Sequence, residues 1–530
     1  MSLAVVGVIL LPIVTVLTQV FMPSDGVWAH LQQTVLPGYL RNSLTLVAGV
    51  GLLAIVIGVT SGWLIAAYEF PGRRIFEWAL MLPLAMPSYV IAYVYFDRLS
   101  FWGPIQTGLR DLFGWGRGDY WFPQIASLQG AIVLLALVLY PYVYLLARAA
   151  FLGQSQSLMD SARALGHSRA SAFLRVALPM AWPAVAAGAA FVAMETLAEY
   201  GAVLHLGVQT LTTGIFRTWF ARGAPVAAAQ LSALLVCFVA TMFLIERVLR
   251  SNRRFSGDAG GRARTLVRTQ LSPGRGLLAT GACALPVLLG FGFPAAELLR
   301  LSVIAGDPLW GPRFFTFALN SLKMAVVAAG LLVAIAVFLS YARRLQVNMM
   351  IGVAMQVASL GYAMPGAVIA VGVLLPLAAF DNALDAFMRA TFGVSTGLLL
   401  TGTIGALLFA YVVRYLAVAL KTIDAAFARI PRSMDDAARN LGCGPGGVLR
   451  HVHFPLLRRG MLTAAIFVFA DVMKELPATL IVRPFNFDTL AIRTFRLASD
   501  GRLEEAATSA LMIVAVGIIP VIMLSRAMNQ

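Results

Sequence analysis

A chain of 530 residues that is 60% hydrophobic and only 12% charged cannot cover itself with a water-soluble surface, which takes about 25% charged residues. Its net charge of +16 does not point to nucleic acid, because the basic residues stand between apolar runs and form no stripe interleaved with aromatics. Cys237, Cys283 and Cys443 show no paired spacing and the five histidines no metal-ligand spacing, which argues against a disulfide framework, a structural zinc or any stably bound metal.

Apolar runs fall near residues 2–22, 44–68, 78–96, 127–147, 183–205, 226–249, 277–301, 321–341, 351–380, 397–420, 460–482 and 506–525. Each is of the order of the roughly 20 residues that cross a bilayer as a helix. The fold class expected is therefore an all-α membrane protein of about twelve transmembrane helices. The first run, from Leu3 to about Met22, lacks a basic start and a small-residue cleavage site, so it reads as a retained span.

Orientation follows from where Lys and Arg collect. With the amino terminus in the cytoplasm, Arg73 and Arg74, then Arg163, Arg169 and Arg175, the central linker, Arg343 and Arg344, and the cluster from Arg429 to Arg459 all fall on the inner side, as the positive-inside rule requires. The loop at 97–126 balances Arg98, Arg110 and Arg117 against Asp97, Asp111 and Asp119 and reads as external. The stretch from Arg250 to Arg275 holds seven arginines and one acid, Asp258, and reads as a polar tether that sets topology.

The chain repeats itself. DSARALGHSRASAFLRVALP, from Asp160 to Pro179, returns 276 residues later as DAARNLGCGPGGVLRHVHFP, from Asp436 to Pro455. Asn42, Ser43 and Leu44 return as Asn320, Ser321 and Leu322, and Ala85, Met86 and Pro87 as Ala363, Met364 and Pro365, at a spacing of 278. These matches divide the chain into a first repeat, 1–249, a basic linker, 250–275, and a second repeat, 276–530. An even number of spans in each repeat inserts both in the same orientation, giving parallel repeats about an axis along the membrane normal.

Within each repeated loop, Ser157 to Leu165 or Ser433 to Leu441 reads as a short helix with an acid in its first turn, where the helix dipole favours negative charge. Gly166 and Gly442 stop it, Ala162 and Ala438 are small enough for another protein to approach the backbone, and Pro179 and Pro455 mark the return to the membrane. This pattern resembles the EAA loop of bacterial ATP-binding-cassette importer permeases, here about 153–182 and 429–459, with Asp in place of the commoner Glu. The resemblance implies a type I importer permease fold and a short helix that docks on a cytoplasmic ATPase, with Asp160, Ala162, Gly166, Asp436, Ala438 and Gly442 as its coupling residues. The chain has no G-x-x-x-x-G-K-[ST] loop to cradle ATP phosphates. It is thus expected to be no enzyme and to hold no cofactor of its own, ATP and magnesium being used by a pair of partner ATPase subunits, identical to judge by how alike the loops are.

Two acids one helical turn apart recur in matching spans, Glu195 with Glu199 and Asp471 with Glu475, so each pair is expected to share a helix face. Carboxylates inside a bilayer normally face a cavity or a partner. A cation path is one reading; a salt bridge, with Lys474 as the obvious partner, or a wet helix end is the other. After each pair comes a polar segment, GVQTLTTGIFRTWF from Gly207 and RPFNFDTLAIRTFR from Arg483, in which Arg217 and Arg493 match. They read either as an external contact or gate, or as snorkelling interface anchors.

The stretches ETLAEYGAV with VQTLTTGIFRTW, and VMKELPATLIVRPFNFDTLAIRTF, are similar to the fused two-domain permeases of bacterial ferric-iron importers. The resemblance covers almost the whole chain. It implies an inner-membrane complex with two ATPases and a periplasmic substrate-binding protein, passing iron(III). Thiamine and aminoethylphosphonate permeases share the fused architecture, so another small solute stays open as cargo. A secondary transporter with parallel repeats, or a membrane receptor that transports nothing, are the competing functions.

Overall fold

The computed structural model describes residues 2–251, 268–304, 312–345, 355, 361, 362 and 364–528. Most of the basic linker and the start of the 351–380 run lie outside the described residues, as does Ala363 of the repeated Ala-Met-Pro.

The principal helices of the first repeat are α1 (Ser2–Thr18), α2 (Leu36–Ala67), α3 (Arg73–Ala79), α4 (Ser88–Leu99), α5 (Pro104–Phe113), α6 (Leu128–Leu152), α7 (Gln156–Ala164), α8 (Leu178–Ala198), α9 (Gly201–His205), α10 (Leu211–Phe216) and α11 (Pro225–Ser251). Those of the second are α12 (Pro273–Val287), α13 (Phe293–Ile304), α14 (Pro312–Leu345), α15 (Gly366–Phe392), α16 (Ile404–Ala428), α17 (Arg432–Asn440), α18 (Phe454–Met473), α19 (Pro477–Val482), α20 (Leu490–Ser499) and α21 (Leu503–Met528). The β-structure among the described residues is one parallel pair, Tyr68–Glu69 with Thr269–Gln270.

Every one of the twelve apolar runs carries helix. Nine helices among the described residues are long and apolar enough to cross a membrane, ten if Arg73–Ala85 and Ser88–Phe113, bent by 89°, form one span. The bend falls at Pro87, whose extended backbone precedes α4, as the matching Pro365 precedes α15. The two runs that complete the twelve are the 17-residue α1 and α18, which carries Arg458, Arg459 and Asp471.

Local chemistry is repeated along with the helices. Ser127 Oγ caps α6 by accepting from Gly130 N at 3.1 Å, and Thr403 Oγ1 caps α16 by accepting from Ala406 N at 3.3 Å. The repeated Asn and Ser have a matching duty. Asn42 Nδ2 donates to Gln209 O at 2.9 Å and Ser43 Oγ accepts from Leu211 N at 3.0 Å, while Asn320 donates to Asp488 O at 3.2 Å and Ser321 accepts from Leu490 N at 2.8 Å. In each repeat a long helix thus satisfies backbone groups at the start of a short one, α10 or α20, where no intrahelical partner exists.

Packing divides the chain into two compact units that do not coincide with the two sequence repeats. One unit comprises Met1–Leu31, Gly214–Val236 and Pro308–Arg496; the other Gln32–Thr213, Cys237–Asp307 and Leu497–Gln530. In the first, α14, α16 and α18 pack on one another, and α1 of the other repeat lies along α15, so closely that a Cβ on Gly372 would stand 2.4 Å from Pro12 O. In the second, α2, α6 and α8 form the matching trio. There α13, with the turn before it, and α21 are the visitors: Tyr95 hydroxyl donates to Leu289 O in that turn at 2.8 Å, and a Cβ on Gly517 would meet Ala85 O at 2.7 Å. Small residues allow these approaches, which matter because dispersion between close backbones, not a hydrophobic force, holds helices together in lipid.

Candidate functional site

The two repeated loops fold alike to the level of single hydrogen bonds. α7 and α17 both end one residue short of a leucine, and the next residue, Gly166 or Gly442, has φ +85° in both. That left-handed conformation costs other residues about 1–2 kcal/mol. It lets His167 N reach back to Ala162 O at 3.1 Å, and Cys443 N to Ala438 O at 3.0 Å, the six-to-one bond of a Schellman end. Before Pro179 and Pro455 each chain widens into one turn of i→i+5 bonding, closed by Leu178 N to Phe173 O and by Phe454 N to Leu449 O. Proline has no N–H to continue the ladder and crowds the carbonyl four residues back, which accounts for a widened turn at the same place in both.

What these helices offer outward is an acid and a leucine. Asp160 and Asp436 are exposed, and Leu165 and Leu441, 81% and 85% exposed, stand beside the glycines. Each loop thus presents the same exposed pair, an acid and a leucine, at the same place. The leucines belong to the repeated motif, but only the structure shows that both are exposed. Two expectations are corrected. Ala162 and Ala438 are 6% and 7% exposed and face the body of the protein, so their small size brings the helix close to its own support. Asp160 lies beyond the first turn of α7, within 3.0 Å of Gln156 Nε2, whereas α17 has Asp435 in its first turn.

The membrane acids are arranged differently from the reading as face-sharing pairs. α8 stops at Ala198 and α18 at Met473, so Glu199 and Glu475 lie just past a helix end and neither pair shares a continuous face. Each stands two residues before the next short helix, α9 or α19. Glu199 Oε1 accepts from Ala202 N at 2.8 Å and its other oxygen from the Ser88 hydroxyl. Glu475, 4% exposed, accepts from Ala478 N and Thr479 N, both at 2.9 Å, from the Thr479 hydroxyl, and from Arg414 Nη1 at 3.1 Å. Gly366 clears the way for that arginine: a Cβ there would fall 1.8 Å from Arg414 Nη1. Asp471 is half-buried and pairs with Lys474 Nζ at 3.0 Å; Glu195 is half-buried near the end of α8. Among the described residues no three of His, Cys, Asp and Glu are placed to hold a metal ion together.

The matched arginines diverge. Arg217 is exposed, as an external contact requires, but Arg493 is 4% exposed and lies over the rings of Phe314 and Phe317, 5.3 and 5.8 Å from their centres. Burial over these rings speaks against Arg493 as an open surface contact and leaves its reading as a gate untouched.

The profile of the binding-protein-dependent transport system inner membrane component matches residues 54–254 and again 351–530. The chain belongs to this family. It is a multi-pass inner-membrane permease with the permease domain present twice, the membrane subunit of an ATP-binding-cassette importer. Along 492 residues, 92% of this chain and 89% of the relative, it is 26% identical to the Fe(3+)-transport system permease protein FbpB 2 of Haemophilus influenzae. Two further relatives match over a smaller share of the chain. The molybdate/tungstate transport system permease protein WtpB of Thermococcus kodakarensis is 28% identical over 39% of this chain and 78% of its own length. The molybdenum transport system permease protein ModB of Escherichia coli is 25% identical over 40% of this chain and 90% of its own. In the permease, then, the two loop helices are a duplicated feature of a duplicated domain.

Proposed function

We propose that this permease forms the translocation path for iron(III) delivered by a periplasmic binding protein, and that two identical cytoplasmic ATPase subunits drive it through α7 and α17. The observation that carries the reading is the pair of loop helices, alike in their glycine-ended Schellman turns and in the exposed acid and leucine beside them. A duplicated surface of that kind suits two copies of one partner. ATP binding and hydrolysis shift the permease between conformations only if each ATPase state binds one of them better, and these helices are where such a preference would be exerted.

Support for iron comes from the extent of the likeness to the Haemophilus influenzae protein, which spans both repeats. The molybdate, tungstate and molybdenum permeases match over a smaller share of the chain, and they make an oxyanion the second reading. The path-lining role of Glu195, Glu199, Asp471 and Glu475 belongs to the same proposal. It has its best candidates in Glu195 and Asp471, because Glu475 is consumed by four protein donors. The test is uptake into proteoliposomes holding the permease, its ATPase and its binding protein, with radiolabelled iron(III) and molybdate compared. ATP-dependent accumulation of iron alone bears the reading out. Molybdate accumulation replaces the cargo, uptake that follows a proton gradient without the ATPase makes the protein a secondary transporter, and ATPase binding without flux makes it a receptor.

A further inference from the structure

The two loop helices look alike from outside and are fastened differently from behind. Arg344, near the end of α14, places its guanidinium against α17: Nε lies 2.7 Å and Nη2 3.0 Å from the two oxygens of Asp435. The same group donates to Phe427 O at 3.0 Å, Ile430 O at 2.9 Å and Pro431 O at 3.2 Å, binding the end of α16 and the turn into α17. Asp435 also accepts from His453 Nε2 at 2.7 Å, and His453 precedes α18. The side chains of Arg344, Asp435 and His453 are 10%, 7% and 0% exposed. Tyr341, one turn before Arg344, donates to Pro445 O at 2.6 Å and packs its ring edge-on against His453. One cluster thus joins α14, α16, α17 and the start of α18.

Nothing of the kind stands at the matching places of the first repeat. Met159 occupies the position of Asp435 and Ala177 that of His453, and the residue matching Arg344 is Ala66 or Tyr68 by the spacing of 278 or 276. α7 packs instead against the turn at Phe173–Ala177, where Phe173 meets Trp63 with ring centres 4.8 Å apart and Trp63 meets Phe151 at 5.2 Å, and Gln154 Nε2, just before α7, donates to Ala177 O at 2.8 Å. Charged pairs of that repeat, Arg73 with Glu69 and Glu77, and Arg148 with Glu77, tie α3 to its neighbours and to α6.

We propose that Arg344, Asp435 and His453 form a latch that fastens the second loop helix rigidly to α14, so that the two ATPase contacts of this permease are mechanically unequal. Charge-assisted forked hydrogen bonds fix both orientation and distance, whereas dispersion contacts weaken gradually as surfaces slide. A push on α17 therefore moves the α14–α16–α18 trio as one piece, while a push on α7 is partly taken up by the packing behind it. Arg344 is a positioning residue in this account. The proposal rests on reading the loops as ATPase contacts for its meaning in transport, but not for the latch itself.

Two measurements test it. In the permease alone, with Cys237, Cys283 and Cys443 replaced by serine, a spin label is placed on Leu441→Cys or on Leu165→Cys. Arg344→Ala and Asp435→Asn should each mobilise the label at 441 and leave that at 165 unchanged, with Arg344→Lys intermediate because it keeps the charge and loses the fork. Labels that both loosen equally, or neither, overturn the latch; if Arg344→Ala does not accumulate, Asp435→Asn decides. In the reconstituted complex, Arg344→Ala should keep ATP hydrolysis and lower cargo accumulated per ATP roughly tenfold, within the usual range of coupling between sites. A merely structural role would lower hydrolysis and uptake together with their ratio unchanged, and that result overturns the coupling claim. If the unmodified complex shows no ATP-driven uptake, the importer reading fails, and the spin-label result still decides the latch.

Discussion

The two repeats share a backbone plan and differ in how they handle buried charge. Where the first repeat holds Glu199 with the Ser88 hydroxyl, the second removes that side chain, Gly366, and brings in Arg414 to face Glu475. Where the first sets its loop helix against the Phe173–Ala177 turn beside Trp63, the second uses Arg344, Asp435 and His453. A duplicated domain is free to do this: once both copies lie in one chain each sees a single set of neighbours, and an ion pair needs to be built on one side only. The difference teaches that the outward turns of the two loops stay alike while the support behind them need not.

The largest effect should come from cutting the buried pair. Arg414→Ala leaves Glu475 as an uncompensated buried charge and is expected to cost about 3–5 kcal/mol. The matching cut in the first repeat, Ser88→Ala, removes one hydrogen bond and should cost about 0.5–1.5 kcal/mol. Thermal unfolding of the purified permease compares them, and equal losses would break the contrast between repeats. In the Arg414→Ala background, Glu475→Gln should recover a good part of the loss, because it removes the charge and keeps an acceptor for Ala478 N and Thr479 N.

Next in size are the loop glycines. Gly166→Val and Gly442→Val each force a β-branched residue to φ +85°, at about 1–2 kcal/mol or more of local strain, and should abolish ATP-driven uptake while the permease still reaches the membrane. The two should behave alike, since the outward turns are alike. Unchanged uptake in both variants would remove the loops from the coupling role. Smaller and also symmetric, Asn42→Ala and Asn320→Ala should each lower stability by about 1 kcal/mol, read from the same unfolding curves; a several-fold difference between them would show that the repeats diverge there too.

The smallest effect is a null over most of the pH range. Burial pushes the Asp435 carboxyl up, but the hydrogen bonds from Arg344 and His453 and their charges outweigh it and hold it below the ordinary aspartate value. A carboxylate with a depressed folded pKa contributes stability above its unfolded pKa of about 3.9 and loses it as pH falls through the lower folded value. In the His453→Gln variant, which removes the latch's other group able to titrate near neutral pH, the label at Leu441→Cys should therefore keep one mobility from pH 8 to about 5 and loosen only in stronger acid. A transition within that range would contradict the assignment of Asp435 as the ionised centre of the latch.

Much of this was readable in the chain. The apolar runs located twelve helical segments, and the echo at Asp160 and Asp436 announced two like loops with glycine ends, because turn chemistry is local and glycine is needed wherever φ is positive. The echo of Asn42-Ser43 and Asn320-Ser321 was visible as spelling, but its meaning was not. It lies in backbone groups some 168 residues away. The acids were legible as unusual and not as caps, since Glu199 and Glu475 take that role only because the helix stops one residue or two before them. Arg344 gave no signal at all. It has no copy in the first repeat, and an arginine at the inner end of a span looks like any other topology signal.

Composition, periodicity and repetition, which depend on near neighbours and on the solvent, determined by themselves that this is a duplicated helical membrane protein carrying two alike, glycine-ended loops. Which helices share a unit, with α1 lying along α15 and α13 and α21 packing with the other repeat's spans, was decided only in the tertiary structure. So were the partners of each buried charge. The reason is physical: hydropathy states that a segment prefers lipid but not which apolar face it meets, and a charge is settled by whichever donor the folded chain brings within about 3 Å.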